Sequence, residues 1–236
     1  MASRFRGPLL NRSGSNLGLR EHFEGMPIGP DAATDYVVYH NDFLVAQDYA
    51  ATDWVVTETQ AGATQAIAAD NVGGALLLTN DAGDDDVVQL QSAEEWTKLT
   101  AGKQLWFEAK VKISDATQAD MFVGLATTDT SIIAGTTDCV GFRKLDGTTS
   151  LLSITEDNTT ETTNTAATVV ADTYLVLGFH WDGVSKVKFF VNRSLTATHT
   201  TNIEQTNKLA VTLTLQNGEA VAKTMTIDYV NIVMER

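Results

Sequence analysis

One stretch, residues 174–192, restricts the fold more than any other; it reads YLVLGFHWDGVSKVKFFVN. Apolar residues alternate with other residues on both sides of Asp182-Gly183, a pair that is typical of the turn between two antiparallel strands. The apolar side chains of such a hairpin lie on one face of each strand, and a hairpin alone is only marginally stable in water. We therefore expect the rest of the chain to supply a second sheet that covers this face.

Short strand patterns continue from Tyr36 to Val233, and no proline follows Pro30. The clearest pattern spans residues 104–113, where Leu105 and Phe107 begin a row of alternate apolar residues. Residues 156–168 are polar and form either an exposed loop or an edge strand. One helical turn is expected at residues 93–99, because Ser92 and Glu95 have capping-box spacing. The sequence thus predicts an all-β, two-sheet antiparallel sandwich over residues 35–236.

Residues 1–34 differ from this body: they contain all 3 prolines of the chain and show no apolar periodicity. We interpret them as an extended N-terminal arm that orders on another protein's surface. Two alternatives are a terminus that touches nothing and a basic arm that binds nucleic acid. The predicted contact residues of the arm are Arg4, Phe5, Arg6, Leu9, Leu10, Arg12, Leu17, Leu19, Arg20 and Phe23.

Charge and composition exclude several classes of function. A net charge of −14 argues against nucleic acid as the main partner, because phosphate binding needs clustered Lys and Arg. No stretch reaches the roughly 20 apolar residues that a membrane span requires. Cys139 is the single cysteine of the chain, so an internal disulfide is excluded and a reducing compartment is expected.

Several short motifs resemble the concanavalin A-like, or laminin G-like, jelly roll. They are Trp181-Asp182-Gly183, Phe190-Val191-Asn192 and Ile227-Asp228, and the resemblance covers residues from about Tyr36 to the end. Two further features, Asn41-Asp42-Phe43 and a lysine-poor composition rich in Ala and Thr, resemble structural proteins of tailed bacteriophages, including capsid decoration proteins. The resemblance implies the fold more directly than it implies an activity.

Some relatives with this fold hydrolyse polysaccharides with carboxylates spaced Glu-x-Asp-x-x-Glu on one strand, and this spacing is absent from the sequence. Glu94-Glu95 and the run Asp84 to Asp86 are adjacent carboxylates, which on a strand point to opposite faces and do not flank one bond. The sequence therefore predicts no catalytic residues and no enzyme.

Two features are candidates for ligand binding. The acidic turn at residues 80–86 offers Asp81, Asp84 and Asp86 as calcium ligands, although such turns are often only solvated, and no other cofactor is expected. Three tryptophans are candidates for a sugar-stacking platform, and the alternative is that they close the core or a subunit contact: Trp54, Trp96 and Trp106. Trp106 alternates with Leu105 and Phe107 and is the predicted contact surface.

The resemblance to phage structural proteins implies a non-enzymatic virion protein, most simply a capsid decoration (cement) protein that binds the outer shell through its arm. Its partners would be the major capsid protein and copies of itself, most simply in a trimer. Its location would be the capsid surface after synthesis in the host cytoplasm. The alternative is a carbohydrate-binding, lectin-like module of a head or tail fibre, and a third hypothesis is an unusual glycan hydrolase.

Overall fold

The computed structural model describes residues 36–45, 53–69 and 71–236. The N-terminal arm, with all of its predicted contact residues, lies outside this part of the chain. The described residues contain strands, turns and irregular segments, and none of them forms a helix that is long and apolar enough to cross a membrane.

Fifteen strands are present in the described residues. They are β1 (Tyr36–Asn41), β2 (Trp54–Glu58), β3 (Thr64–Ile67), β4 (Leu76–Thr79), β5 (Val87–Ser92), β6 (Leu105–Ile113), β7 (Ala119–Ala126), β8 (Cys139–Lys144), β9 (Ser150–Asp157), β10 (Thr160–Thr168), β11 (Leu175–Trp181), β12 (Val187–Val191), β13 (Ser194–His199), β14 (Ala210–Asn217) and β15 (Thr224–Glu235).

The strands form two antiparallel sheets, which confirms the predicted fold class. The eight-stranded sheet has the order β13-β12-β11-β6-β15-β4-β3, with β1 also paired to β15. The seven-stranded sheet has the order β10-β9-β8-β7-β14-β5-β2. Strands from the beginning and the end of the chain are neighbours in both sheets, so the sandwich closes only when distant segments pair.

The hairpin at residues 174–192 is observed as β11 and β12, with Phe179 opposite Phe189. Its turn is fixed by Asp182, whose carboxylate accepts hydrogen bonds from the backbone N–H groups of Val184 and Ser185 at 2.8 and 2.9 Å. Gly183 adopts a φ of +76°, a conformation that glycine takes at little cost. The Asp182-Gly183 pair therefore stabilises the hairpin turn that the sequence predicted.

Aromatic rings from both sheets meet in the core. Phe107 of β6 stacks on Phe179 of β11 with ring centroids 4.9 Å apart, and Phe179 lies 5.9 Å from Phe189. Phe142 of β8 in the seven-stranded sheet meets Phe189 edge-on at 5.4 Å. The four rings are fully buried, so this contact joins the sheets.

The predicted alternation of β6 is confirmed on its core face, but the side chains on its other face are less exposed to solvent than expected. Trp106 and Glu108 are only 5% and 7% exposed. The Glu108 carboxylate accepts a hydrogen bond from the hydroxyl of Tyr229 at 2.6 Å and pairs with Arg193 at 3.4 Å, and these two side chains lie over it. Long side chains from β15 and from the turn after β12 therefore cover the outer face of the sheet locally.

The predicted helical turn at residues 93–99 is wrong. This segment is irregular and is held by an isolated antiparallel bridge between Thr97 and Leu209. The Ser92 hydroxyl, expected to cap a helix, donates instead to the carbonyl of Glu94 at 2.9 Å and accepts from the N–H of Val211 at 3.0 Å. Pairing with a distant segment overrides the local capping pattern.

Replacing Phe179 by alanine tests the aromatic contact between the sheets. We expect Phe179→Ala to lower the free energy of unfolding by about 3–5 kcal/mol, because the change leaves a cavity between two buried rings. The matched control is Val184→Ala at a residue that is 74% exposed, which we expect to change this energy by less than about 0.5 kcal/mol. Urea unfolding followed by fluorescence measures both, and similar losses in the two variants would contradict this account of the core.

Candidate functional site

A cleft of about 410 Å³ lies where β1 of the eight-stranded sheet approaches β2 and β5 of the seven-stranded sheet. Three segments that are far apart in sequence contribute to it: β1, the start of β2, and the end of β5 with the residues that follow. The lining residues are Tyr39, His40, Asn41, Asp53, Trp54, Ser92, Ala93, Glu94 and Trp96. They combine aromatic rings with carboxylate, amide and hydroxyl groups.

Tyr39 and Trp96 form the aromatic part of the cleft. Their ring centroids are 5.4 Å apart at an interplanar angle of 54°, and both rings are half-buried against the core. Burial raises the pKa of Tyr39, and a hydrogen bond from Asn41 offsets only part of this effect. The tyrosine hydroxyl is therefore protonated at neutral pH and is able to donate a hydrogen bond.

Asn41 positions the Tyr39 hydroxyl. Its amide Nδ2 donates to that hydroxyl at 3.2 Å, while its Oδ1 accepts from the N–H of Phe43 at 2.9 Å. Phe43 is fully buried with a φ of +50°, and a Cβ on Gly74 would lie only 2.5 Å from the carbonyl oxygen of Asp42. Close packing thus fixes the turn after β1, and with it the asparagine that holds Tyr39.

Two exposed carboxylates line the same cleft. Asp53 precedes β2, and Glu94 follows β5, in the segment that the Ser92 hydroxyl holds. This pair was not predicted from the sequence, because the expected pattern places both carboxylates on one strand, which Glu94-Glu95 does not fit. The only sequence signal for it is that each carboxylate is close to a tryptophan, Trp54 or Trp96.

Residues 127–138, named here the covering loop, cover the central part of the outer face of the seven-stranded sheet. The loop inserts Ile132, which is 1% exposed, into an apolar cluster with Phe122, Cys139 and Ile154. It follows β7 and precedes β8, so it folds back over the strands that it connects. This part of the sheet offers no open surface to a ligand.

Glutamine side chains of β5 hold the start of the covering loop. Gln89 and Gln91 are buried, and their amide groups donate to the carbonyls of Asp129 and Thr127 at 2.5 and 3.2 Å. Glu95 accepts a hydrogen bond from the N–H of Thr128 at 2.7 Å. The loop is therefore attached to the segment that carries two residues of the cleft, Glu94 and Trp96.

The three predicted tryptophans have different surroundings. Trp54 and Trp96 both line the cleft, although Trp54 is only 1% exposed. Trp106 lies apart from them, on the outer face of the eight-stranded sheet, where it stacks on His180 with ring centroids 5.1 Å apart and packs against Phe190. Among the tryptophans of the cleft, Trp96 is the one with substantial exposed surface.

Among the predicted calcium ligands, Asp86 forms hydrogen bonds within its own turn, and the other two are exposed to solvent. The Asp86 carboxylate accepts hydrogen bonds from Thr59 at 3.2 Å and from the N–H of Gly83 at 2.8 Å, whereas Asp81 and Asp84 are exposed. Within the described ranges, the carboxylates that do converge belong to Asp138, Asp157 and Glu204, with oxygens within 4.8 Å of one another. Asn207 donates to Asp138 at 3.1 Å, so this group is also part of a local hydrogen-bond network.

Two buried carboxyl groups with raised pKa values lie away from the cleft. Burial raises the pKa of Asp120 to about 6 and also raises the pKa of Glu156, which accepts a hydrogen bond from Cys139. Raised carboxyl pKa values are common in active sites, but these two residues are only 3% and 6% exposed. Their burial makes them poor candidates for contact with a large substrate.

No protein-family model matches the sequence, and no curated protein matches it. Solved structures are similar over most of the chain. An endo-1,3-beta-glucanase from Streptomyces sioyaensis has a TM-score of 0.63 at 14% identity and covers 88% of this chain and 98% of its own. A beta-glucanase from Bacillus licheniformis has a TM-score of 0.59 at 15% identity, covering 83% and 97%. A protein of unknown function from Shewanella oneidensis MR-1 has a TM-score of 0.62 at 9% identity, covering 89% and 95%.

The fold is thus a concanavalin A-like jelly-roll sandwich, as the sequence motifs implied. Two other predictions are wrong: that the chain is a capsid decoration protein, and that it is not an enzyme. The similar structures include glucanases, and the alternative of a carbohydrate-binding protein agrees better with them. The prediction relied on carboxylate spacing within one strand, whereas Asp53 and Glu94 flank the paired strands β2 and β5 and line one cleft.

Replacing Ile132 by alanine tests whether the covering loop is packed as described. We expect faster cleavage of residues 127–138 by a nonspecific protease, because the variant loses the buried side chain that anchors the loop. Val170→Ala, at an exposed residue, is the matched control and is expected to be cleaved like the unmodified protein. Equal cleavage rates in all three proteins would show that Ile132 does not anchor the loop.

Proposed function

We propose that this protein binds a neutral polysaccharide in the cleft that Tyr39 and Trp96 share with Asp53 and Glu94. The observation that carries this proposal is the combination of two half-buried aromatic rings with two carboxylates in one open cleft. The volume of about 410 Å³ lies within the range of roughly 300–1,000 Å³ that is common for ligand sites.

The chemistry of the cleft suits a sugar. An aromatic ring offers an apolar face on which the C–H groups of a sugar ring pack. Carboxylates accept strong hydrogen bonds from hydroxyl groups, because a charged acceptor shortens and strengthens the bond. Asp53 and Glu94 would take this role, while Trp96 would provide the stacking surface.

Charge favours a neutral ligand over an anionic one. Among its described lining residues, the cleft has two carboxylates and one basic side chain, His40, which pairs with Asp42 at 3.0 Å. The whole chain carries a net charge of −14. An anionic polymer would meet repulsion at the site and from the surrounding protein. The glucanases with a similar fold make β-glucans the first class to test.

Calorimetric titration with soluble β-glucans tests the proposal. We expect binding by the unmodified protein and a loss of at least about 10-fold in affinity for Trp96→Ala, because removing a central aromatic contact typically costs 2 kcal/mol or more. Trp96→Phe keeps a ring and should retain most of the affinity. Chitosan serves as a cationic comparison, since carboxylates and rings also attract cations.

Two results would contradict this proposal. One is the absence of binding to any neutral polysaccharide by folded protein, and the other is unchanged affinity in a folded Trp96→Ala variant. Tighter binding of chitosan than of every neutral glucan would show that the cleft prefers a cationic polysaccharide to a neutral one.

Hydrolysis of the bound polysaccharide is a second candidate function, which the presence of two carboxylates in one cleft favours. One would act as general acid, and the other either as nucleophile or as the base that activates water. We expect release of reducing ends from a β-glucan, with a loss of at least about 100-fold in Asp53→Asn and in Glu94→Gln.

Asp84→Asn, at an exposed carboxylate outside the cleft, is the matched control for these variants. Proton NMR of the first product distinguishes retention from inversion of the anomeric centre. Cleavage that persists in both cleft variants would show that the active site lies outside the cleft. Binding without any cleavage would leave carbohydrate binding as the function.

A further inference from the structure

His199 joins the two sheets at one edge of the sandwich. It is the last residue of β13, the edge strand of the eight-stranded sheet, and it is 1% exposed. Its ring contacts β9 and β10, and β10 is the edge strand of the seven-stranded sheet. The imidazole therefore lies between two edge strands that belong to different sheets.

The hydrogen bonds of His199 fit a neutral ring. Asn164 Nδ2 lies 3.1 Å from His199 Nε2, and an amide nitrogen only donates, so Nε2 is the acceptor. The proton is then on Nδ1, which donates to the hydroxyl of Thr155 at 2.9 Å. Thr155 in turn donates to the carbonyl of Thr201 at 3.1 Å, which completes a consistent chain.

No charged side chain is among the described partners of His199. Ser153 is a further partner, at 3.0 Å from Nε2, and Phe189 lies 4.6 Å from the ring. Three charged residues on the strands around it occupy alternate positions that point to the outer faces: Glu156 on β9, Glu161 on β10 and Lys188 on β12. Asp157, the last residue of β9, shares the face of Ser153 and Thr155, but it is exposed, and its carboxylate converges with those of Asp138 and Glu204. A second proton on the imidazole would thus be buried without a counter-charge.

We propose that His199 is an acid-sensitive latch that holds the edge strands β10 and β13 together while its ring is neutral and releases them when the ring gains a second proton. The other described side-chain hydrogen bonds between these edges join uncharged groups, which do not titrate. Thr162 bonds to Thr201 at 2.8 Å and accepts from Asn202 at 3.0 Å. Central strands such as β6 and β15 have partners on both sides and need not separate.

The direction of the pH effect follows from the two protonation states. Burial lowers the pKa of His199 to about 4 in the closed form, whereas a solvated histidine has a pKa of about 6.5. The latch is fully effective above pH 6.5, and its contribution is lost as the pH falls from there toward 4. Linkage predicts a rise in the opening constant of the edge on the order of 100-fold between pH 7 and pH 4.5.

Hydrogen exchange measured by mass spectrometry at pH 7 and pH 4.5, corrected for the intrinsic exchange rate, tests this proposal. We expect peptides from β10 and β13 to lose protection by a factor on the order of 100 at pH 4.5, while peptides from β6 and β15 lose far less. In His199→Gln, which forms hydrogen bonds but does not titrate, the edge should show no such pH dependence.

The control is His40→Gln, at an exposed histidine on β1, which should keep the pH response of the edge. Asp120 on the central strand β7 and Glu156 on β9 have raised pKa values, which make the fold more stable as the pH falls, the opposite of the proposed release. The local exchange of β10 and β13 is therefore the deciding quantity rather than global stability. Equal protection of the edge strands at both pH values in the unmodified protein would overturn the proposal. So would an unchanged pH response in His199→Gln; if that variant fails to fold, the exchange of the unmodified protein decides alone.

Discussion

Contact between aromatic rings of the two sheets is the interaction on which the rest of the structure depends. Phe107, Phe179 and Phe189 come from neighbouring strands of the eight-stranded sheet, and Phe142 reaches them from the other sheet. This contact fixes which faces of the sheets point inward, because a shift of one residue along a strand would turn every apolar side chain outward. The outward residues, the sheet edges and the loops are then available for other roles.

Three of those regions differ in what they offer to a ligand. The central part of the outer face of the seven-stranded sheet is closed by the covering loop through Ile132 and the amides of Gln89 and Gln91. The edge at β10 and β13 is closed by a neutral network around His199. The described residues around β1 and β5 leave a cleft, in which Tyr39 and Trp96 are the half-buried rings. This contrast is why the proposed carbohydrate site is placed in the cleft.

Much of the fold is predictable from the sequence because strand alternation and turn residues act locally. The Asp182-Gly183 hairpin and the core face of β6 are examples. The cleft is different, because Asp53 and Glu94 come close only when β2 pairs with β5. These strands are far apart in sequence, so no local pattern predicts their pairing. The capping-box pattern at Ser92 failed for a related reason, because the side chain bonds to Val211, far along the chain. Sequence reasoning identified Trp54 and Trp96 as candidates but did not identify the carboxylates beside them.

The most direct measurement of the central claim is a crystal structure of the protein with a β-glucan oligosaccharide. The account predicts a sugar ring packed on Trp96, with hydroxyl groups within hydrogen-bond distance of Asp53 or Glu94. An oligosaccharide bound elsewhere on the sandwich, with the Tyr39 and Trp96 cleft filled only by water, would contradict it.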